Sequence, residues 1–245
     1  MDIYLILFLV ALVTFVGSYI QGATGFGFGI FAMIFLPKLL QYTEANVLSS
    51  MLSALSALFV SILMFRKINW KNTVFPVIGS LCSTYLAVSF IKTQSSQVVT
   101  LLLGIVLFAL SIYFFLFAGK IKIKPTWYAG LIAGIISGVM GGMFSMSGPP
   151  VVIYFMQSED DPNKYFATIS AYFVLSGAVA IGTKAAAGFI TESVLLALGV
   201  GVLAILLGSF VGKRTRDKIN PNMIKKVVYG FMAISGLINI ITSLL

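Results

Sequence analysis

The chain has 245 residues, of which 59% are hydrophobic and 9% charged, with a mean hydropathy of +1.05. A soluble domain carries about 25% charged residues, so this one lacks the means to coat a water-facing surface and reads as an integral membrane protein of many spans. Its 16 basic and 7 acidic residues leave a net charge of +9, but the cations sit in short loops between apolar runs, as in cytoplasmic anchoring, and no basic stripe with interleaved aromatics points to nucleic acid.

The first apolar run, 3–21, opens without a basic n-region and is long enough to span, so it reads as a first helix and not as a cleavable signal. Next comes "QGATGFGFG", Gln21 to Gly29, with four glycines in nine residues. Glycine is a poor helix former, so a break falls here, followed by a short apolar run, 29–41. The runs 44–65, 73–91 and 97–118 are long; the second holds the single cysteine, Cys82, which can form no internal disulfide. "GKIKIKP" (Gly119 to Pro125) reads as a cytoplasmic linker. Run 127–143 then meets a second break, "GGMFSMSGPP" (Gly141 to Pro150), followed by a short run, 149–157. Runs 164–186, 191–212 and 221–242 complete the chain. Eight runs approach the roughly 20 residues needed to cross a bilayer core, and two are too short.

Each half therefore reads as a long helix, a break, a short helix and three long helices. The expected fold is an all-α membrane protein of about eight long helices plus two short broken ones, arranged as two inverted-topology repeats of five elements, 1–118 and 126–245. Ser49 aligns with Ser170, Ser56 with Gly177 and Gly104 with Gly230. Basic residues cluster at Arg66, Lys67 and Lys71; at Lys120, Lys122 and Lys124; and at Lys213, Arg214, Arg216, Lys218, Lys225 and Lys226. With those loops inside and Lys164 beside them, both termini fall outside and only Lys38, Lys92 and Lys184 lie toward the outer face. Lys184, near the outer end of a span, suits attracting anions or snorkelling to the interface, and snorkelling is the favoured expectation. In transporters of inverted design the site lies near the midplane, at discontinuous helices in matching positions.

Pro149 and Pro150 suit the first turn of a helix, with Ser147 and Gly148 placed to cap it. Helix N-termini carry free N–H groups and partial positive charge. Two such ends brought together would hold an anion without any charged side chain. The candidate substrate-binding residues are Gln21, Thr24, Gly25, Gly27 and Gly29 at the first break and Ser145, Ser147, Gly148 and Pro149 at the second. Gln21 and Thr24 suit ligand contact or capping equally. Ser49 and Ser53 join them from a polar face, Asn46–Ser49–Ser50–Ser53–Ser56, that either lines the pathway or bonds between helices. Gly130, Gly134 and Gly138 read as a helix-packing ladder. GFGFG is not a nucleotide loop, since no Gly-Lys-Ser/Thr follows it. With no histidine, one cysteine and no carboxylate inside the spans, no metal, cofactor or hydrolase chemistry is expected.

The paired motifs "QGATGFGFGIFAMIFLP" (Gln21 to Pro37) and "GIISGVMGGMFSMSGPPVVIYF" (Gly134 to Phe155) resemble those of the TauE/SafE family, the sulfite exporters of the 4-toluene sulfonate uptake permease-like superfamily. The likeness extends to chain length and repeat layout. It departs in the second motif, where serines replace some of the family's glycines. The resemblance implies a secondary transporter in the bacterial inner (plasma) membrane that exports a small anion: sulfite, a sulfonate such as sulfoacetate, or a carboxylate. Its partners would be that anion and the lipid bilayer, with a homodimer allowed for. An anion channel of the same architecture and a helper subunit of sulfur metabolism are the alternatives.

Overall fold

Polar side chains fix where several of the helices begin. Gln41 and Glu44 form a reciprocal capping box at one start, the Asn69 side chain accepts from Asn72 N–H at another, and Thr126 accepts from Ala129 N–H at a third. Asp161 accepts from Asn163 N–H just before Pro162, which occupies the first helical position. In a computed structural model, which describes residues 3–117, 123–215 and 221–244 (the side chains of 221–225 excepted), the helices are α1 Ile3–Thr24, α2 Phe28–Phe35, α3 Tyr42–Leu63, α4 Trp70–Thr93, α5 Ser96–Phe117, α6 Trp127–Phe144, α7 Gly148–Ser158, α8 Pro162–Ala186, α9 Glu192–Thr215 and α10 Pro221–Leu244. Short 3-10 turns follow α2 and α3.

Eight of these helices are long and apolar enough to cross a membrane, and α2 and α7 are the short pair that the sequence pattern predicts. The all-α architecture holds among the described residues. One boundary moves: α1 runs through Gln21 and Gly22 to Thr24, and Gly25 N–H still bonds to Gln21 O at 2.7 Å. Gly22 does not break the helix because it is a contact point, backing onto the Ser209 carbonyl of α9. Only part of the expected linker is described, from Ile123 on, where Ile123 N–H bonds to Gln157. Asp2, Lys120, Lys122, Arg216, Asp217 and Lys218 lie outside the described residues, as does the Lys225 side chain.

The long helices pair across the two halves: α1 with α9, α4 with α6, α3 with α8 and α5 with α10. Small residues set the spacing. On α6, the backbone of Gly134 abuts Pro76 and that of Gly138 abuts Ser80 and Ser83 of α4, in the expected packing ladder. The same contacts give direction. Along α4 and α6 the pairs advance together (Pro76 with Gly134, Ser80 with Gly138, Ala87 with Gly142), so these helices run parallel. So do α1 and α9, where Phe15 meets Gly208 and Tyr19 meets Gly212. Third elements α3 and α8 run antiparallel, with Ser50 near Lys184 and Ala54 near Gly177. Fifth elements α5 and α10 also run antiparallel, with Gln97 bonded to Ser243 and Gly104 against Gly236.

Inside this cage sit α2 and α7. Phe28, Gly29, Ile30, Ala32, Met33 and Ile34 of α2 are buried, as are Val151, Val152, Tyr154 and Phe155 of α7. Irregular backbone at membrane depth survives only when enclosed by protein or lining a cavity, and the cage supplies that enclosure. Outward faces carry exposed apolar side chains such as Phe8, Leu86, Ile132 and Leu203. One end of the bundle gathers exposed Arg66, Lys67, Lys71, Lys124, Lys164, Lys213 and Arg214 with the exposed rings of Trp70, Trp127 and Tyr128, the composition of an aromatic and basic interface.

Candidate functional site

The first break occupies Gly25 to Gly27. Gly25 (φ 85°) and Gly27 (φ 107°) hold left-handed backbone that only glycine adopts cheaply. The Thr24 hydroxyl lies 2.8 Å from Ile20 O and 2.7 Å from Phe26 O and donates to one of them, so of the two roles open to Thr24 it fills the local, capping one. Gly27 is the N-cap of α2 and has no side chain to offer. The first-turn N–H groups of Phe28, Gly29 and Ile30 are therefore uncapped by any side chain.

The second break has the same outline and different chemistry. Ser145 ends α6 in left-handed backbone at φ 53°, the position that corresponds to Gly25. Ser147 stands at the N-cap of α7, but its hydroxyl makes no capping bond, contrary to the sequence expectation. The prolines at 149 and 150 have no N–H, so the first turn of α7 offers the N–H of Gly148 where α2 offers three in a row. The two helix ends are thus unequal donors.

The breaks touch. A side chain on Gly29 would collide with the Ser145 carbonyl, and one on Gly148 would stand 3.4 Å from the Phe26 ring. Between them lies a cavity of about 270 Å³, lined by Gln21, Gly27, Gly29, Ser53, Ser147 and Phe173 among others. Two further cavities flank it. One, of about 380 Å³, is walled by hydroxyls, including Ser50, Ser53, Thr84, Ser137, Tyr172 and Ser176. It shares Ser53, Ser145, Ser147 and Phe173 with the central cavity. The other, of about 480 Å³, lies toward the basic end, with Gly25, Phe166, Ser170, Ser209 and Lys213 in its wall, and shares Gln21 with the central cavity. Gln21 is buried, and its Oε1 has no hydrogen-bond partner.

A hydrogen-bonded frame fixes the second break. Tyr172 donates to Ser137 Oγ at 2.6 Å, and Ser137 donates to the Ser147 carbonyl. From α3, Tyr42 and Asn46 both donate to the Met143 carbonyl. Ser145 Oγ donates to Asn46 O at 2.6 Å and lies 2.8 Å from Ser50 Oγ. The two bonds to the Met143 carbonyl satisfy one that the end of α6 would otherwise leave orphaned.

Lys184 completes the frame and overturns two expectations. It does not snorkel outward: it is fully buried, with Nζ donating to Ser50 Oγ at 2.7 Å, Ser145 Oγ at 2.9 Å and Gly141 O at 3.1 Å. Nor is the region free of ionisable side chains, as an anion site of helix ends alone would be. Lysine snorkels when its stem can reach water or headgroups; here α3 and α6 close over it.

Most of the predicted residues converge. Gln21, Gly27, Gly29, Ser53, Ser145, Ser147 and Gly148 share the central cavity, and Gly25 borders the basic-side one. Thr24 and Pro149 are buried beside it and line none of the three. Ser49 is buried with its hydroxyl unpartnered, also away from these walls, and Ser56 bonds to Ser209 at 3.0 Å between helices. Sequence reasoning missed Tyr172 and Ser137, and it favoured snorkelling for Lys184 over attracting anions. A lysine set among alanines and a glycine near the end of a span was the available signal, since an ionisable residue inside a membrane segment points to function.

Comparison with known proteins agrees with this architecture. The family model described as "Sulfite exporter TauE/SafE" matches residues 9–238. A protein of Cupriavidus necator, described as "Probable sulfite/organosulfonate exporter TauE", is 26% identical over 226 residues, covering 88% of this chain and 86% of the relative. No solved structure matches the chain.

Proposed function

The chain belongs to the TauE/SafE family of sulfite exporters, and on that premise we propose that it is a secondary transporter that carries a sulfur oxyanion, sulfite or a small sulfonate, through the cavity between its two breaks. The observation that carries this reading is the meeting of the breaks: Gly29 against Ser145, with a small polar cavity between the starts of α2 and α7. The uncapped N–H groups of α2 and the dipoles of both short helices favour negative charge there. The serine hydroxyls supply further donors to oxygens. Among the described residues, no carboxylate lines any of the three cavities to repel an anion.

The helix pairings support an inverted repeat. An exchange of halves maps α1–α9 onto α6–α4 and returns α3–α8 and α5–α10 to themselves, and antiparallel pairing of equivalent helices is what inversion requires. Under the same exchange the α1, α3, α8 and α9 wall of the basic-side cavity becomes the α6, α8, α3 and α4 wall of the hydroxyl-lined one. The basic end faces the cytoplasm by the positive-inside rule. The two flanking cavities are then an inner and an outer vestibule, and the central one is the midplane site. The protein moves its cargo without changing it chemically.

The experiment is efflux from proteoliposomes loaded in turn with sulfite, sulfoacetate, thiosulfate and acetate, with thermal unfolding of the purified protein across a concentration series of each. Bound ligand raises the unfolding temperature by mass action. Saturable efflux and a thermal shift with sulfite or sulfoacetate, both lost in Ser53→Leu, are expected. Currents that rise linearly without saturation would identify a channel, and indifference to every anion would end the exporter reading.

A further inference from the structure

Lys184 is an ionisable amine buried inside the bundle, and among the described residues no carboxylate bonds to it. Among the described carboxylates, Glu44 accepts from Thr191 at 2.6 Å, Glu159 from Asn72 at 2.8 Å and Asp161 from Asn163 at 2.8 Å, and Asp160 and Glu192 are loop and helix-end residues. The hydrogen-bond partners of Lys184 are three neutral oxygens. A buried ion is costly unless another charge answers it. The fold does not need a cation here for capping. Tyr42 and Asn46 satisfy the Met143 carbonyl, two residues on from Gly141, with neutral groups. At the corresponding place in the first half, taking Ser49 opposite Ser170, stands Leu63, in the wall of the basic-side cavity. That position on α3 therefore carries an apolar side chain where α8 carries Lys184.

Two of the three partners, Ser50 and Ser145, form the wall of the hydroxyl-lined cavity. Ser145 spends its proton on the Asn46 carbonyl and accepts from Lys184. Ser50 accepts from Lys184 through its oxygen, which leaves its own proton free to turn from Ser145 into the cavity. One hydroxyl layer thus separates the ammonium from whatever enters. We propose that Lys184 reads the charge of the cargo: an oxyanion that enters the hydroxyl-lined cavity on its way to or from the central one and accepts from Ser50 is the counter-ion that this buried ammonium lacks. The proposal rests on the anion-exporter reading and adds to it the residue that excludes neutral and cationic solutes.

Lys184→Met keeps the length of the side chain and removes the charge. It is expected to weaken sulfite and sulfoacetate binding by at least about tenfold, as loss of one member of a buried charge pair does, while its unfolding temperature without ligand equals or exceeds that of the wild type. Lys184→Arg is expected to retain anion-dependent stabilisation. A merely structural lysine gives the opposite pattern, a lower baseline with an undiminished ligand shift, and that result overturns the proposal. Should Lys184→Met fail to fold, Ser50→Ala keeps the charge and removes the relay; it is expected to bind sulfite several-fold more weakly, and wild-type affinity there overturns the proposal equally. A wild-type protein that binds none of the anions refutes the exporter reading, and this inference falls with it.

Discussion

Ser145 adopts left-handed backbone at φ 53°, where a side chain costs roughly 1 kcal/mol that glycine avoids. Its hydroxyl offsets that strain by joining Asn46, Ser50 and Lys184. The two effects separate by substitution. Ser145→Ala keeps the strain and loses the bonds, and should destabilise by about 1–3 kcal/mol, since it strips one acceptor from a buried ammonium. Ser145→Gly loses the same bonds but relieves the strain, and should unfold between Ser145→Ala and wild type in detergent thermal melts. Equal melting of Ser145→Ala and wild type would show that the hydroxyl network contributes nothing. At this scale the sequence was partly legible. Serine, glycine and proline at the breaks announce irregular backbone, because their conformational preferences are local. The partners of Lys184 are not local: Ser50 is 134 residues away, and a single sequence carries no record of which distant helix closes over a side chain.

Among elements, α4 and α6 approach through backbone on both sides. A side chain on Gly138 would strike Ser83 and the Ser80 carbonyl, which cannot yield as a flexible side chain does. Gly138→Val should therefore abolish folded protein, whereas Gly182→Ala on α8, where nothing lies within 4 Å, should accumulate as the wild type does. Fluorescence-detected size-exclusion chromatography of tagged variants reads both, and a monodisperse Gly138→Val at wild-type yield would refute the close-packed interface. Helices were the most legible part of the chain. Apolar length predicts a span and Gly/Pro punctuation predicts its end, so α2 and α7 stand out as short. The fate of Ser49 and Ser56 was not legible. Both belong to one polar face of α3, and only the neighbouring helices decide that Ser53 meets a cavity, Ser56 meets Ser209 and Ser49 meets neither.

For the whole molecule, the proposed orientation and the proposed cargo make linked predictions. The short loop at 94–95 closes the end of the bundle opposite the basic cluster, while Asp161 lies at the basic end. With Cys82 replaced by serine, Ser95→Cys should react with a membrane-impermeant maleimide in intact cells, and Asp161→Cys should react only after lysis; the reverse pattern inverts the proposed topology. Membrane potential then bears on direction. An inside-negative potential drives an anion outward by about 2.3 kcal/mol per charge per 100 mV, and among the described residues no carboxylate lines the three cavities. Sulfite efflux from proteoliposomes should therefore accelerate when valinomycin sets the interior negative and slow when it sets the interior positive. The charge of the transported complex is what the field acts on, so a dianion such as sulfite should respond more steeply than a monoanion such as acetate, if both are carried. Equal rates at both polarities would mean that a counter-ion travels with the anion.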